Sequence, residues 1–111
     1  MEIKKSNIIG QVVKNLRNDK TETLHQVSKG TDIDMTMLSK IERGERLPTI
    51  EQVRKISEYF KVSENDLQTK LTAEKIIKDD GMSKITFDAV KMVEEQLTPY
   101  LNQQNIELPN Q

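Results

Sequence analysis

The apolar residues of this chain recur three and four positions apart, with no strand-like alternation, and the runs are separated by capping residues. Ser6 can cap a first helix running to about Asp19, with Ile9, Val12 or Val13, and Leu16 at inward positions. Thr23 stands three residues before Gln26, the spacing at which each side chain reaches the other's backbone N–H, and Leu24 and Val27 follow as inward positions. Gly30-Thr31-Asp32 is expected to break that helix, Ile33 to plug the turn and Asp34 to cap the next. There Leu38 and Ile41 face inward. That leaves Thr36, Ser39, Lys40 and Arg43 on the outward stripe and Met35 on the exposed first turn. Gly44 reads as a left-handed residue closing the helix, and Pro48 prevents it from resuming.

Thr49 and Gln52 repeat the reciprocal cap ahead of Val53, Ile56 and Phe60. Ser63 then opens a short fifth helix around Leu67, with Glu64 and Asp66 in the first turn, where the helix dipole favours acids. Beyond it, Thr72 can cap a short helix, AEKIIKD, stopped by Gly81. Ser83 or Thr86 can begin a longer one with Phe87, Val90, Val93 and Leu97 on one side. Pro99 should end or kink it. Met1 to Lys5 read as a frayed start, and NQQNIELPNQ has the composition of a disordered end. The expected architecture is all-α: a helical domain over residues 1–70 and a small helical extension over 71–111. Forty residues cannot bury a core alone, so the apolar stripe must pack on its own domain or on another chain.

From Ile9 to about Leu67 the chain resembles the Xre/Cro/C1-type helix-turn-helix regulators. The marks are IGQVVKNLR, Ile33-Asp34 at the turn, LSKIERGERLPT across the second helix of the motif and its exit, and KISEYFKVSENDL. The resemblance implies a five-helix, lambda-repressor-like domain whose second motif helix enters the DNA major groove. It implies that Arg17 pairs with Glu42 in a largely buried bridge that serves the fold. Two positions depart from the family pattern. Leu24 stands where a phosphate-contacting Gln is common, and Asp32 stands where Gly is usual.

Composition changes this picture little. Of the 111 residues 34% are hydrophobic and 32% charged, which suits one small domain with an appendage. The net charge of −1 is unevenly spread. Residues 1–70 carry 13 Lys/Arg against 11 Asp/Glu, whereas 71–111 carry 4 against 7. The basic residues that matter are the cluster Lys40, Arg43 and Arg46. With no cysteine, disulfides, thiolate metal sites and cysteine nucleophiles are excluded. No apolar run approaches the ~20 residues of a membrane span, and MEIKKSN lacks a signal-peptide core, so a cytoplasmic location is expected.

There is no glycine-rich phosphate loop, zinc-ligand spacing or nucleophile-base pair, so neither an enzyme nor a cofactor is expected. His25, the single histidine, falls on an exposed first turn and suits a surface or phosphate-contacting role. Asp79-Asp80 and Glu94-Glu95 point about 100° apart on a helix and read as solvated faces rather than carboxylate dyads. The expected DNA-contacting set is Thr23, His25, Met35, Thr36, Met37, Ser39, Lys40, Arg43 and Arg46. Thr36 and Lys40 would discriminate bases, Met35 could touch a thymine methyl, and Arg43 and Arg46 would hold phosphates. The expected partner is double-stranded DNA, bound as a homodimer through Phe87, Val90, Val93 and Leu97 by a repressor acting on a palindromic operator. The alternative is an antitoxin that binds its toxin through the C-terminal segment and autoregulates its operon.

Overall fold

The computed structural model describes residues 7–108, and among them it contains six helices and no strand. These are α1 (Ile8–Asp19), α2 (Leu24–Thr31), α3 (Met35–Glu42), α4 (Ile50–Phe60), α5 (Glu64–Asp80) and α6 (Lys84–Gln103). They divide into two compact units, one ending at Asp79 and one beginning at Asp80.

The first unit closes around Ile9 and Val13 of α1, Val27 of α2, Ile33 of the turn, Leu38 and Ile41 of α3, Val53, Ile56 and Phe60 of α4, and Leu67 and Leu71 of α5, all buried. Of the two valines open to the inward position of α1, Val13 is fully buried and Val12 flanks the core. Each such side chain contributes roughly 1.5–3 kcal/mol on leaving water. The same residues therefore decide both that the helices form and how they sit.

Both reciprocal caps form, Thr23 with Gln26 and Thr49 with Gln52. The helix break is displaced from its expected place. Gly30 and Thr31 are still helical, and the chain turns at Asp32 in left-handed geometry (φ 56°). Gly30 is present for packing, because a Cβ there would fall 1.9 Å from Cε1 of Tyr59 on α4. The Tyr59 hydroxyl donates to Glu22 Oε2 (2.5 Å), which fixes the loop that leads into α2.

The largest difference from expectation is α5. It runs unbroken from Glu64 to Asp80, and Thr72 caps nothing: its hydroxyl donates to the Gln68 carbonyl (3.0 Å) in the helix interior. Leu67, Leu71 and Glu74 form its buried face at helical spacing. The boundary placed after Lys70 by the sequence is therefore passed, and Leu71 and Glu74 belong to the first unit. Glu74 is fully buried and accepts from the backbone N–H groups of Ile8 (3.1 Å) and Ile9 (2.9 Å). It caps α1 from 65 residues away, where the N-terminal dipole favours a carboxylate. Helix α1 starts after Asn7, whose side chain makes no cap bond; the Ser6 cap and the frayed Met1–Lys5 lie outside the described residues.

In the second unit Ser83, rather than Thr86, is the N-cap of α6, accepting from Thr86 N–H at 3.2 Å. Pro99 does not end this helix, which continues to Gln103. The carbonyl that its missing N–H leaves unbonded lies on an exposed stretch open to water, and the Thr98 hydroxyl bonds the adjacent Glu94 carbonyl (2.8 Å). Asn105 in left-handed geometry (φ 58°) and an Ile106 N–H to Leu101 carbonyl bond (3.0 Å) close the end. Part of the segment expected to be disordered is thus helix and turn, and its last three residues lie outside the description.

Candidate nucleic-acid interface

Helices α2 and α3 with the three residues between them form a compact helix-turn-helix. Ile33 is buried beneath the turn, and the Ser28 hydroxyl donates to its carbonyl (2.6 Å), so the turn is fixed on both its apolar and polar sides. Asp34 then caps α3, accepting from Thr36 N–H (2.9 Å) and Met37 N–H (3.3 Å). The exit is a left-handed Gly44 (φ 73°), with Gly44 N–H donating to the Ile41 carbonyl and Glu45 N–H to the Lys40 carbonyl.

Three long-range contacts hold α3 from behind. Arg17 of α1 meets Glu42 through two parallel bonds, Nε to Oε2 at 2.8 Å and Nη2 to Oε1 at 2.9 Å, with side-chain exposures of 17% and 7%. A third hydrogen of the same guanidinium, on Nη1, reaches the Glu22 carbonyl (3.0 Å), which ties the entry of α2 to the end of α3. Bonding to Glu42 raises the Arg17 pKa further above its ordinary value. Asn7 Nδ2 donates to the Glu42 carbonyl (3.0 Å), and Lys78 Nζ of α5 to the Gly44 carbonyl (3.2 Å). Arg17 and Glu42 thus act on the pose of the helix.

With its inner side committed, α3 leaves a free outer side. Met35 and Thr36 are exposed, and Ser39 and Lys40 are half-buried. Leu24, Met35, Thr36, Ser39 and Arg43 line one depression of about 300 Å³ between the start of α2 and this side. Thr23 and His25 are exposed beside it at the start of α2, and Arg46 is exposed beyond the exit. Lys40 and Arg46 have no acidic side chain within ion-pair distance among the described residues. Arg43 has one: Glu45. Met37 departs from the expected set, because it is turned toward the core and packs against it. Its position in the first turn, two residues after Met35, carries it about 200° around the helix.

Glu74, Asn7 and Tyr59 are supports of this surface that the sequence reading does not include. Glu74 carries no local signal, since a buried carboxylate reads as a polar break in an apolar period. Tyr59 could have been found, as it lies next to Phe60 on the inner side of α4.

Residues 13–67 match the family described as "Helix-turn-helix". No curated protein matches the sequence. Among solved structures, the wild-type restriction-modification controller protein C.Esp1396I is 27% identical, over 66% of this chain and 94% of its own, with a TM-score of 0.52. A point mutant of that controller protein is 28% identical, over 68% and 96%, also at 0.52. The fold also resembles the clp gene regulator ClgR of Corynebacterium glutamicum (18% identity, TM-score 0.53), over 96% of this chain and all of that one. Through the matched segment, the chain belongs to the Xre/Cro/C1-type helix-turn-helix family of DNA-binding transcriptional regulators.

Proposed function

We propose that this protein is a cytoplasmic, sequence-specific repressor that binds a palindromic operator as a homodimer, with α3 in the major groove of each half-site. The observation that carries the reading is the contrast within α3. Its inner side is fixed by Arg17, Asn7 and Lys78, while its outer side presents hydroxyls, a thioether and Lys40 without an acidic partner among the described residues. A rigid helix with free donors on one side is what base readout requires. Thr36 and Lys40 read base edges and Met35 meets a thymine methyl. Arg46, Thr23 and His25 face the phosphates.

A dimer is proposed because α6 has no buried residue within this chain. Phe87, Val90, Val93 and Leu97 lie on a contiguous arc of it, each 44% or more exposed. A second copy of the same arc can cover them. At ~25 cal/mol per Å², such an interface must reach ~1,000 Å² to offset the cost of association, so the dimer is concentration-dependent. A palindrome with half-sites one turn of DNA apart asks the two α3 helices of such a dimer to sit ~34 Å apart. The helix has its own N-cap and its own left-handed close, which favours a preformed self-association element over a tail that orders only on a toxin.

Selection of bound duplexes from a random pool by the full-length protein tests this. Enrichment of inverted repeats one turn apart is expected. Enrichment of no sequence at all would remove the reading.

A further inference from the structure

Arg43, the C-cap of α3, lines the depression beside Thr36 and Ser39, and its surroundings suit a different task from that of a phosphate clamp. Its Nε and Nη2 donate to the same oxygen, Glu45 Oε2, at 2.9 and 2.6 Å, and its Nη1 donates to Ser39 Oγ at 2.5 Å. A guanidinium has five N–H groups. Three are used, which leaves one on Nη1 and one on Nη2. Where Ser39 takes the Nη1 hydrogen nearer the stem, the two that remain lie parallel on the outer edge of the fork, the arrangement that bonds O6 and N7 of guanine together.

A phosphate clamp needs the opposite environment. Its value is net positive charge, and here Glu45 neutralises that charge and would itself be carried toward the phosphate, where it repels. Arg46, three residues on and without an acidic partner among the described residues, has what the clamp needs. The position of Arg43 fits base reading as well, since it lines the same depression as Thr36 and Ser39. Seven residues separate Thr36 from Arg43, roughly 10 Å along the helix, or about three base-pair steps. Holding the long side chain beforehand also lowers the entropy lost when it docks.

We propose that Arg43 reads a guanine in the operator half-site, held in its reading pose by Glu45 and Ser39, with Glu45 acting as a positioning residue rather than a contact. The proposal rests on the reading of the protein as a sequence-specific DNA binder. It adds a prediction about which base pair that binder requires: a G·C pair about three steps from the one met by Thr36.

The test uses the full-length protein and the duplex enriched in the pool selection. Each guanine of the half-site is replaced in turn by 7-deazaguanine, which lacks N7, and affinity is measured by fluorescence anisotropy over a range of salt. One replacement should cost the parent protein about tenfold and cost Arg43→Ala nothing further. Arg43→Lys keeps the charge but loses the two-bond fork, so it should behave like Arg43→Ala at that guanine and like the parent on random DNA. Glu45→Gln removes a negative charge, and it should bind random duplex more tightly while losing the preference for that guanine.

Arg43→Ala weakening selected and random duplex alike, with the salt slope lowered by about one, would make Arg43 a phosphate clamp and overturn the proposal. Equal tightening by Glu45→Gln on every duplex would make Glu45 a competing anion and also overturn it. Both failures differ from failure of the broader reading, in which the parent protein itself enriches no sequence.

Discussion

Helices α3 and α6 each turn an open face to solvent, yet they are held in opposite ways. Of the eight residues of α3, three are buried, and its end is fastened by side chains from α1 and α5 and by the residue before α1. Helix α6 has twenty residues and buries none within its own chain, although Ile85, Phe87, Met92 and Tyr100 are each more than half exposed. An exposed polar face on a well-anchored helix suits reading, because its side chains are aimed before a ligand arrives. An exposed apolar face on an unanchored helix is unfinished packing, because water alone does not stabilise it. The first should be sensitive to what lies behind it and the second to what covers it.

The largest effect should come from cutting the supports. Truncation after Lys70 removes Leu71 and leaves two α1 N–H groups without Glu74, at ~1.5–3 kcal/mol for the leucine and ~1–3 for each donor. That is comparable to the whole stability of a small domain. The shortened chain should fail to fold by circular dichroism, whereas truncation after Asp80 should leave a folded monomer that binds a palindrome without cooperativity.

Arg17→Met should cost ~3–5 kcal/mol in denaturant unfolding by stranding Glu42, while the refolded protein prefers the same operator. A variant that melts like its parent would mean that the bridge adds nothing to the anchoring of α3.

On the open side of α3 the effects should appear in binding only. Lys40→Ala should lose ~1–3 kcal/mol on the preferred sequence and relax one or two positions, while Arg46→Ala should weaken all duplexes alike and reduce the salt slope by about one. Equal loss on specific and random DNA for Lys40→Ala would break the assignment.

Val93→Asp should have the smallest effect on stability, within ~0.5 kcal/mol for the monomer, because the residue is 54% exposed. It should nonetheless abolish the dimer in sedimentation at tens of micromolar. A mutant that still dimerises would remove this stripe as the interface.

The anchored region is largely legible in the sequence because its signals are local. The capping boxes at Thr23 and Thr49, the buried Ile33 and the glycine at position 44 each declare themselves within four or five residues. Where Gly30 and Glu74 mislead, the cause lies far along the chain. Gly30 is small on account of Tyr59, 29 residues on, so by itself it reads as a helix breaker. Glu74 is polar because it caps α1, so the fifth helix seems to be a short one around Leu67 and a new helix seems to begin at Thr72. Met37 reads as outward from its neighbourhood in sequence, although helical rotation carries it to the core. For α6 the sequence tells the stripe but not its partner, since what covers an open face is written on another surface.

The division of labour between the two helices can be read in one methyl NMR experiment on the full-length protein, with Met35 reporting on α3 and Val93 on α6. Adding the selected operator to the dimer should shift Met35 and leave Val93 in place, and dilution without DNA should shift Val93 and leave Met35. Operator-induced shifts at Val93 with Met35 unmoved would contradict the account.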